Sequence, residues 1–497
     1  MLGNTVLPLR DVERAVYPFL GPSKSLADVQ GARKSLEDIY HQRGYGTVFV
    51  DIPEQDVNRG VVRLKVTEGR LAAAAVSGAK YFSEREVRDA LPEASEGKVP
   101  NFVALQGELA QVNSVTGDRV VTPILKAGAL PGTVDLTLHV DDHLPFHGSV
   151  ELNNQYTADT SSLRSLWSFG YDNMFGRQDS FSLQYQVSPQ HRDEVSVFVA
   201  NYLARIGDNQ LAFYYLDSSS NVATLEGSAG SAGAGSLLVL GRGHAGGVRL
   251  FVPLENSSSL MQTLSFAVEY KDFLQAIGPG STSTDGSSGS LQTPIRYTDL
   301  SLGYSGNWLG TIRRSFDISA NFGLRQGSGN ALEFEDKRFN ARPNFFYLRS
   351  NFSTIVPLPR EFTFLWRIAG QYASEPLVSN EQFAIAGSDG VRGYLEAEVL
   401  SDTALKTTFQ LGTPKLRLWS NGLSSDAFVF FDWGKTHLID PLPGEAGSDT
   451  LRSWGVGLNV LVLNHLSGSL TWARALADST LTHSGDSRLL FSMRGFW

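Results

Sequence analysis

From Phe146 to Trp497 the sequence alternates polar and apolar residues with a period of two, and this pattern restricts the fold more than any other feature. Successive side chains of a strand point to opposite faces, so such alternation describes a sheet that is wet on one side and apolar on the other. Ser180, Ser182, Gln184 and Gln186 alternate with Phe181, Leu183, Tyr185 and Val187. Leu264, Phe266, Val268 and Tyr270 stand against Ser265, Glu269 and Lys271, and Phe316, Ile318, Phe322 and Leu324 against Asp317, Ser319, Asn321 and Arg325. Trp454, Val456, Leu458 and Val460 repeat the pattern, and Leu489, Phe491, Met493 and Trp497 end it.

Sixteen such segments begin near residues 146, 163, 178, 192, 208, 243, 259, 294, 311, 343, 361, 397, 424, 450, 465 and 486. An even number suits one chain closed into an antiparallel membrane β-barrel, apolar towards lipid and polar towards a lumen. The connections tend to alternate in length. Residues 176–178, 255–259, 307–310, 357–360 and 463–465 read as tight turns, whereas 218–242, 275–293, 327–342, 373–396 and 435–449 are long. Short turns on one rim and long loops on the other are the arrangement of outer-membrane barrels, periplasmic and extracellular respectively. The Gly/Ser tracts 227–236 and 278–290 fall in long loops and read as plain solvated linker.

Composition agrees, since 49 Gly and 11% aromatic beside only 19% charged residues favour strands and turns over helices. No stretch approaches the roughly 18 consecutive apolar residues of a spanning helix. The absence of cysteine excludes disulfides, thiolate metal sites and a cysteine nucleophile. The net charge of −9, with neither half strongly basic, excludes a nucleic-acid partner. Nine His residues lack metalloprotease spacing, and no P-loop or nucleophile-elbow motif occurs, so neither an enzyme nor a cofactor or metal is expected. Gly241, Gly243 and Gly246 satisfy G-x-G-x-x-G but open a strand, where no helix terminus can cradle a phosphate.

Ahead of the barrel, one pattern occurs twice. Residues 2–8 read as a short strand, Asp11–Phe19 as a helical turn and Ser25 onward as a longer helix with a capping box at Ser25 and Asp28. Strands follow at 46–52 and 60–68. The order recurs as a strand from Ala72, helices at Ser83–Leu91 and Asn101–Asn113, and strands at 119–127 and 133–140. A β-α-α-β-β unit repeated before a β-rich region resembles the POTRA (polypeptide-transport-associated) domain. The expected organisation is therefore a truncated first POTRA domain at 1–70, a second at 71–142 and a barrel of sixteen strands at 143–497.

Two motifs sharpen the resemblance. Val391, Arg392, Gly393 and Tyr394 lie in the long loop before the twelfth strand, and FVFFDWG (428–434), with Phe430, Asp432 and Gly434, lies on the thirteenth. Together they resemble signature motifs of the POTRA-plus-barrel transporters. Two POTRA-like repeats and sixteen strands resemble its two-partner secretion branch (TpsB; ShlB/FhaC/HecB-type haemolysin secretion/activation proteins) rather than the barrel-assembly or translocation-assembly factors, the alternative reading. The resemblance implies that the loop folds into the lumen and that Arg392 pairs with Asp432. A loop in a wet lumen has little apolar surface to hold it, so a charge-assisted pair would serve as its latch.

The resemblance also implies a secreted, unfolded exoprotein partner (TpsA-like, adhesin or haemolysin). Its N-terminal segment is expected to add a strand to a POTRA edge at Thr47, Val48, Phe49 and Val50 or at Val120, Val121 and Thr122. Phe491 and Trp497 are read as the C-terminal signal for the barrel-assembly machinery, with periplasmic chaperones as further biogenesis partners and a monomer in the bilayer as product. Relatives begin with a signal peptide, a plug helix and a linker, whereas this sequence starts inside the first POTRA strand, which points to truncation or a misassigned start. A pore without a plug is expected to conduct more ions.

Overall fold

The computed structural model describes all residues except 58–59, 115, 159, 221, 226–236, 241, 255–259, 276–293, 309, 326–330 and 419–421. Both Gly/Ser tracts, the turn at 255–259 and Gly241 therefore lie outside the described residues. The chain divides into two compact units, Met1–Pro145 with Phe175–Arg177, and a barrel of Phe146–Met174 and Gln178–Trp497.

In the first unit, α1 (Leu9–Val16), α2 (Leu26–Gln42), β1 (Val48–Asp51) and β2 (Lys65–Glu68) enclose one core, with Leu36, Tyr40 and Val48 fully buried. A second core lies between β3 (Arg70–Ser77), α3 (Glu84–Asp89), α4 (Phe102–Ser114), β4 (Arg119–Ala127) and β5 (Thr133–Asp142). Ser25 and Asp28 form the expected capping box of α2. On α4, Leu105, Leu109 and Val112 are buried and Phe102 packs against the same core. The strand expected at 2–8 shrinks to one bridge between Leu2 and Lys65. Its N–H groups at Thr5 and Val6 go instead to the Glu68 carboxylate, at 2.6 and 3.1 Å. The strand expected at 60–68 starts only at Lys65, because the Gln55 side chain takes both backbone groups of Arg63.

The barrel runs β6 (Phe146–Asn153), β7 (Arg164–Met174), β8 (Asp179–Val187), β9 (Ser196–Ile206), β10 (Asn209–Ser218), β13 (Arg242–Pro253), β14 (Leu260–Gln275), β15 (Ile295–Trp308), β16 (Arg313–Leu324), β17 (Phe346–Pro357) and β18 (Thr363–Ala373). It continues through β21 (Thr403–Gly412), β22 (Leu416–Leu418), β23 (Leu423–His437), β24 (Thr450–Val462), β25 (Leu466–Ala475) and β26 (Ser487–Phe496). Between them, β11 (Val222–Leu225) pairs with β12 (Leu237–Leu240), β19 (Phe383–Ala384) pairs with β20 (Leu400–Ser401), and a short helix α5 (Ala331–Lys337) lies in the β16–β17 loop. Because β21 and β22 pair end to end with β23 as one stave, the closed barrel has sixteen antiparallel staves.

The twelfth stave starts at Thr403 rather than near 397, because 397–402 belong to the preceding loop. There Leu400 and Ser401 pair with β19, and the Asp402 carboxylate accepts the N–H groups of Leu377 and Ile439. Residues 207–208 and 463–465 are tight turns on one rim, whereas 374–402, 438–449 and 476–486 are long connections on the other. Facing follows the alternation. Phe266, Val268 and Tyr270 are 48, 50 and 42% exposed on the outer wall, which only a hydrocarbon surround satisfies for so wide an apolar band. Across the seam β26 pairs with β6, and Trp497 and Gly148 exchange backbone hydrogen bonds of 3.0 and 3.2 Å. The Trp497 ring lies over Gly148, where a Cβ would approach it to 2.2 Å, and meets Phe169 edge-on.

In the first unit, Asp142 at the end of β5 accepts N–H groups from Lys80, Tyr81 and Phe82 at 2.9, 2.8 and 3.1 Å. Burial raises this carboxyl, but the backbone donors outweigh it and hold it below the usual carboxylate range. A depressed carboxyl stabilises above its unfolded pKa and loses that contribution as pH falls through the folded value. Asp142→Ala should therefore speed hydrogen exchange at residues 80–82 roughly tenfold or more near neutral pH, with the difference from wild type shrinking in acid.

Candidate functional site

The long loop 374–402 enters the lumen as a hairpin whose base is the β19–β20 ladder. Beyond that ladder the chain turns sharply. Val391 N–H donates to Ile385 O at 2.7 Å, Gly387 adopts φ +113°, and Gly390 has no room for a Cβ, which would lie 2.1 Å from Ile385 O. This turn presents Arg392 to the wall.

Arg392 and Asp432 meet in a two-pronged ion pair. Nε donates to Oδ2 at 2.8 Å and Nη2 to Oδ1 at 2.9 Å, while the Arg392 backbone N–H adds a third bond to Oδ2 at 3.1 Å. Nη1 donates to Gln410 Oε1 of β21 at 3.3 Å. Below the guanidinium lies the Phe430 ring, its centroid 3.4 Å from Cζ. Planar, delocalised and weakly hydrated, a guanidinium both forks onto a carboxylate and stacks on a ring, which an ammonium does not. Asp432 is fully buried and Arg392 nearly so.

The aromatic floor depends on β24. Gly455 and Gly457 face inward beside Phe430 and Phe428; a Cβ would fall 2.6 Å from the Phe430 ring and 2.0 Å from Trp472 O at Gly455, and 2.2 Å from the Phe428 ring at Gly457. Because the glycines present no side chain, the two rings have room on the wall, their planes tilted 43° to each other. Gly434 serves the same end above the pair, where a Cβ would press Val391 Cγ2 at 3.0 Å and Ile385 Cδ1 at 3.2 Å. Gly393, at φ +99°, turns the chain so that Tyr394 points the other way. The Tyr394 hydroxyl sits 3.0 Å from Arg452 O and 2.9 Å from Ala477 O, and Glu398 accepts the N–H groups of Leu481 and Thr482, so the loop also docks on 476–486.

The loop has more apolar surface than a wet lumen suggested. Ile385 and Val391 are fully buried and cluster with Tyr394, Val399, Leu451 and Ala475. The ion pair is thus desolvated, and removing one partner of such a pair costs about 3 to 5 kcal/mol. Sequence reading missed Gly455, Gly457, Gln410 and Glu398. The two glycines were nonetheless visible as the inward members of a run whose outward members are Trp454, Val456 and Leu458.

The other candidate residues are placed as follows. Val48 and Val50 turn their backbone groups away from β2, but α2 already occupies them. His41 Nε2 lies 3.1 Å from Val48 O, Glu37 accepts Val50 N–H at 3.0 Å, and Arg33 donates to Val50 O at 3.2 Å. Phe49 is exposed, and Thr47 O accepts Gly69 N–H. On β4 the Asn113 side chain bonds both backbone groups of Val121, at 2.8 and 3.1 Å, while Val120 is exposed. Phe491 N–H donates to Asn154, and Trp497 closes the seam. Gly243 and Gly246 lie within β13, with no helix beside them in the chain.

Two family models match the sequence: residues 1–69 match the ShlB-type POTRA domain, and residues 290–460 match the haemolysin secretion/activation protein ShlB/FhaC/HecB. An outer membrane transporter CdiB of Dickeya dadantii is 24% identical over 404 residues, covering 79% of this chain and 67% of that one. The heme/hemopexin transporter protein HuxB of Haemophilus influenzae is 22% identical over 499 residues, covering 96% and 82%. Among solved structures, CdiB from Escherichia coli superposes with a TM-score of 0.69 at 19% identity, over 100% of this chain and 89% of that one. BamA from Haemophilus ducreyi, lacking POTRA domains 1–3, gives 0.59 at 12% identity, over 100% and 98%.

If the seat works as its geometry indicates, a fork-less cation will not hold it. Arg392→Lys should raise hydrogen exchange across 385–398 in the assembled barrel, and Gly457→Val should do so without altering either charge, by displacing the Phe428 ring that lies 5.9 Å from the guanidinium.

Proposed function

Because the chain belongs to the ShlB/FhaC/HecB family of haemolysin secretion/activation proteins, with its barrel in the outer membrane and its POTRA region in the periplasm, we propose that it secretes an unfolded exoprotein through the barrel lumen. The observation that carries this reading is the lumen loop: a polar bore crossed by a hairpin whose tip rests on one desolvated ion pair. No covalent chemistry is required of such a device, and relatives in the family are transporters. Delivery depends on binding the cargo in the periplasm and on displacing the loop, since neither nucleotide nor an ion gradient is available at that membrane. Chaperones and the barrel-assembly machinery act during biogenesis, with Phe491 and Trp497 as the recognition signal, and the working form is a monomer.

We place the cargo's docking strand on β4 rather than β1. On β1 the outward backbone groups are capped by Arg33, Glu37 and His41, so an added strand must first displace three side chains. On β4 the Asn113 cap ends at Val121, Pro123 has no N–H to offer, and Leu125 is the next residue facing away from β5, with Ile124 and Leu125 both exposed. The cargo's N-terminal segment therefore adds at the C-terminal half of β4.

Arg392→Ala should leave the barrel assembled and heat-modifiable on gels while secretion falls; undiminished secretion would remove the latch from the mechanism. A covalent lock offers a second check. An ideal Cβ at Gly434 lies 3.4 Å from Ile385 Cβ, close to the separation in disulfides, and the chain has no cysteine of its own. Ile385→Cys with Gly434→Cys should secrete markedly less when oxidised than the same variant does when reduced. Leu125→Pro, which deletes only an N–H facing away from β5, should weaken capture of the cargo's N-terminal domain in a pull-down with the full-length protein; equal capture argues against docking there.

A further inference from the structure

Loop 374–402 is attached to the barrel a second time, on the wall of β14, β15, β17 and β18. Glu381, just before β19, is 3% exposed. Its Oε1 accepts from Lys271 Nζ at 2.8 Å and from the Tyr297 hydroxyl at 2.6 Å, and its Oε2 accepts from the Tyr347 hydroxyl at 2.7 Å. The Glu381 carbonyl accepts from Gln371 Nε2 at 3.0 Å. One residue thus draws donors from four staves. Asp402 then stitches the two arms of the hairpin together, accepting from Leu377 N–H at 2.9 Å and Gln382 Nε2 at 3.1 Å.

The tip is held differently. Its buried polar seat on the barrel wall is the Arg392 fork, joined by the half-exposed Asp389 carboxylate beside Arg367 and Lys406 at 3.4 and 3.8 Å and by the docking of Tyr394 and Glu398 on a neighbouring loop. Near the base, each arm of the tip contains a residue with positive φ, Gly387 at +113° and Ala397 at +51°. These positions can take up backbone rotation while the ladder below them stays paired.

We propose that Glu381 is the pivot of the lumen loop: the base from Leu377 to Ala384, with Leu400 to Asp402, stays clamped to the wall, and only 385–398 swings when the Arg392 seat is released. Glu381 is a positioning residue, since it aims the tip at Asp432 without touching it. The inference rests on reading the loop as the movable element of the pore. Its test needs no cargo, so failure of the secretion reading and failure of the pivot are separate results.

Hydrogen exchange, resolved to peptides of the full chain in detergent, separates the two segments. In Arg392→Ala, exchange at 385–398 should rise while the β19–β20 ladder keeps its protection. In Glu381→Gln, the ladder should lose protection as well, roughly tenfold or more, because a neutral amide cannot replace the charged acceptor of three donors. A merely structural role would disturb the staves instead, so peptides from β14, β15 and β17 are expected to stay protected. Should Glu381→Gln fail to give a heat-modifiable barrel, Tyr297→Phe with Tyr347→Phe removes two donors and keeps the charge pair, and the same loss at the ladder is expected. Ladder protection lost together with the tip in Arg392→Ala, or retained when the Glu381 donors are removed, would overturn the pivot.

Discussion

Hydrocarbon offers no partner for a backbone N–H or C=O, and this constraint orders the rest of the molecule. Every stave must be paired on both sides, so the sheet has to return to its start, as it does where β26 meets β6. Closure in turn creates two surfaces with opposite demands. The outer one carries large apolar side chains. The inner one is free to be polar, and the protein uses it to hold a loop that would otherwise lie in water.

How that loop is held follows from what an inner wall can supply. A wall of alternating residues offers an inward side chain only at every second position, so few apolar groups converge on one spot. Ile385, Val391 and Leu451 gather where they can, and around them the burial is completed by charge and glycine. The Arg392–Asp432 fork is strong because its surroundings are dry, and the Phe430 ring stacked under the guanidinium helps to keep them so. Glu381 solves the same problem on the other wall with three donors, the Lys271 ammonium and two tyrosine hydroxyls. The loop is therefore neither a free linker nor a packed plug, but a hairpin fastened at points.

The sequence made the staves legible because lipid enforces alternation at every position, and the VRGY and FVFFDWG segments were legible as a pair because each lay in the loop and stave where the other required it. The start of the twelfth stave was not, since residues 397–402 are β-like in composition yet serve the loop. Glu381 was invisible for a different reason. Its partners Lys271, Tyr297 and Tyr347 come from three separate staves, and only the barrel's register brings them together. The strand edges show the same limit: Val48, Val50 and Val121 read as open pairing sites, but whether His41, Glu37 or Asn113 reaches across to cap them depends on how the helices sit on the sheet.

Phe430 and Gly455 together have a consequence for how this wall tolerates change. The ring of one stave fills the volume that the next leaves empty, so the two positions share a single allotment of space, and the same holds for Phe428 and Gly457. At Gly457 a larger residue is permissible only where the Phe428 ring shrinks, whereas at Gly455 the Trp472 carbonyl, 2.0 Å from an ideal Cβ, bars one whatever the ring does. In evolutionary terms Phe428 and Gly457 are one character written at two sites, free to drift only as a unit, while Gly455 is held by the backbone of the next stave and should not drift at all.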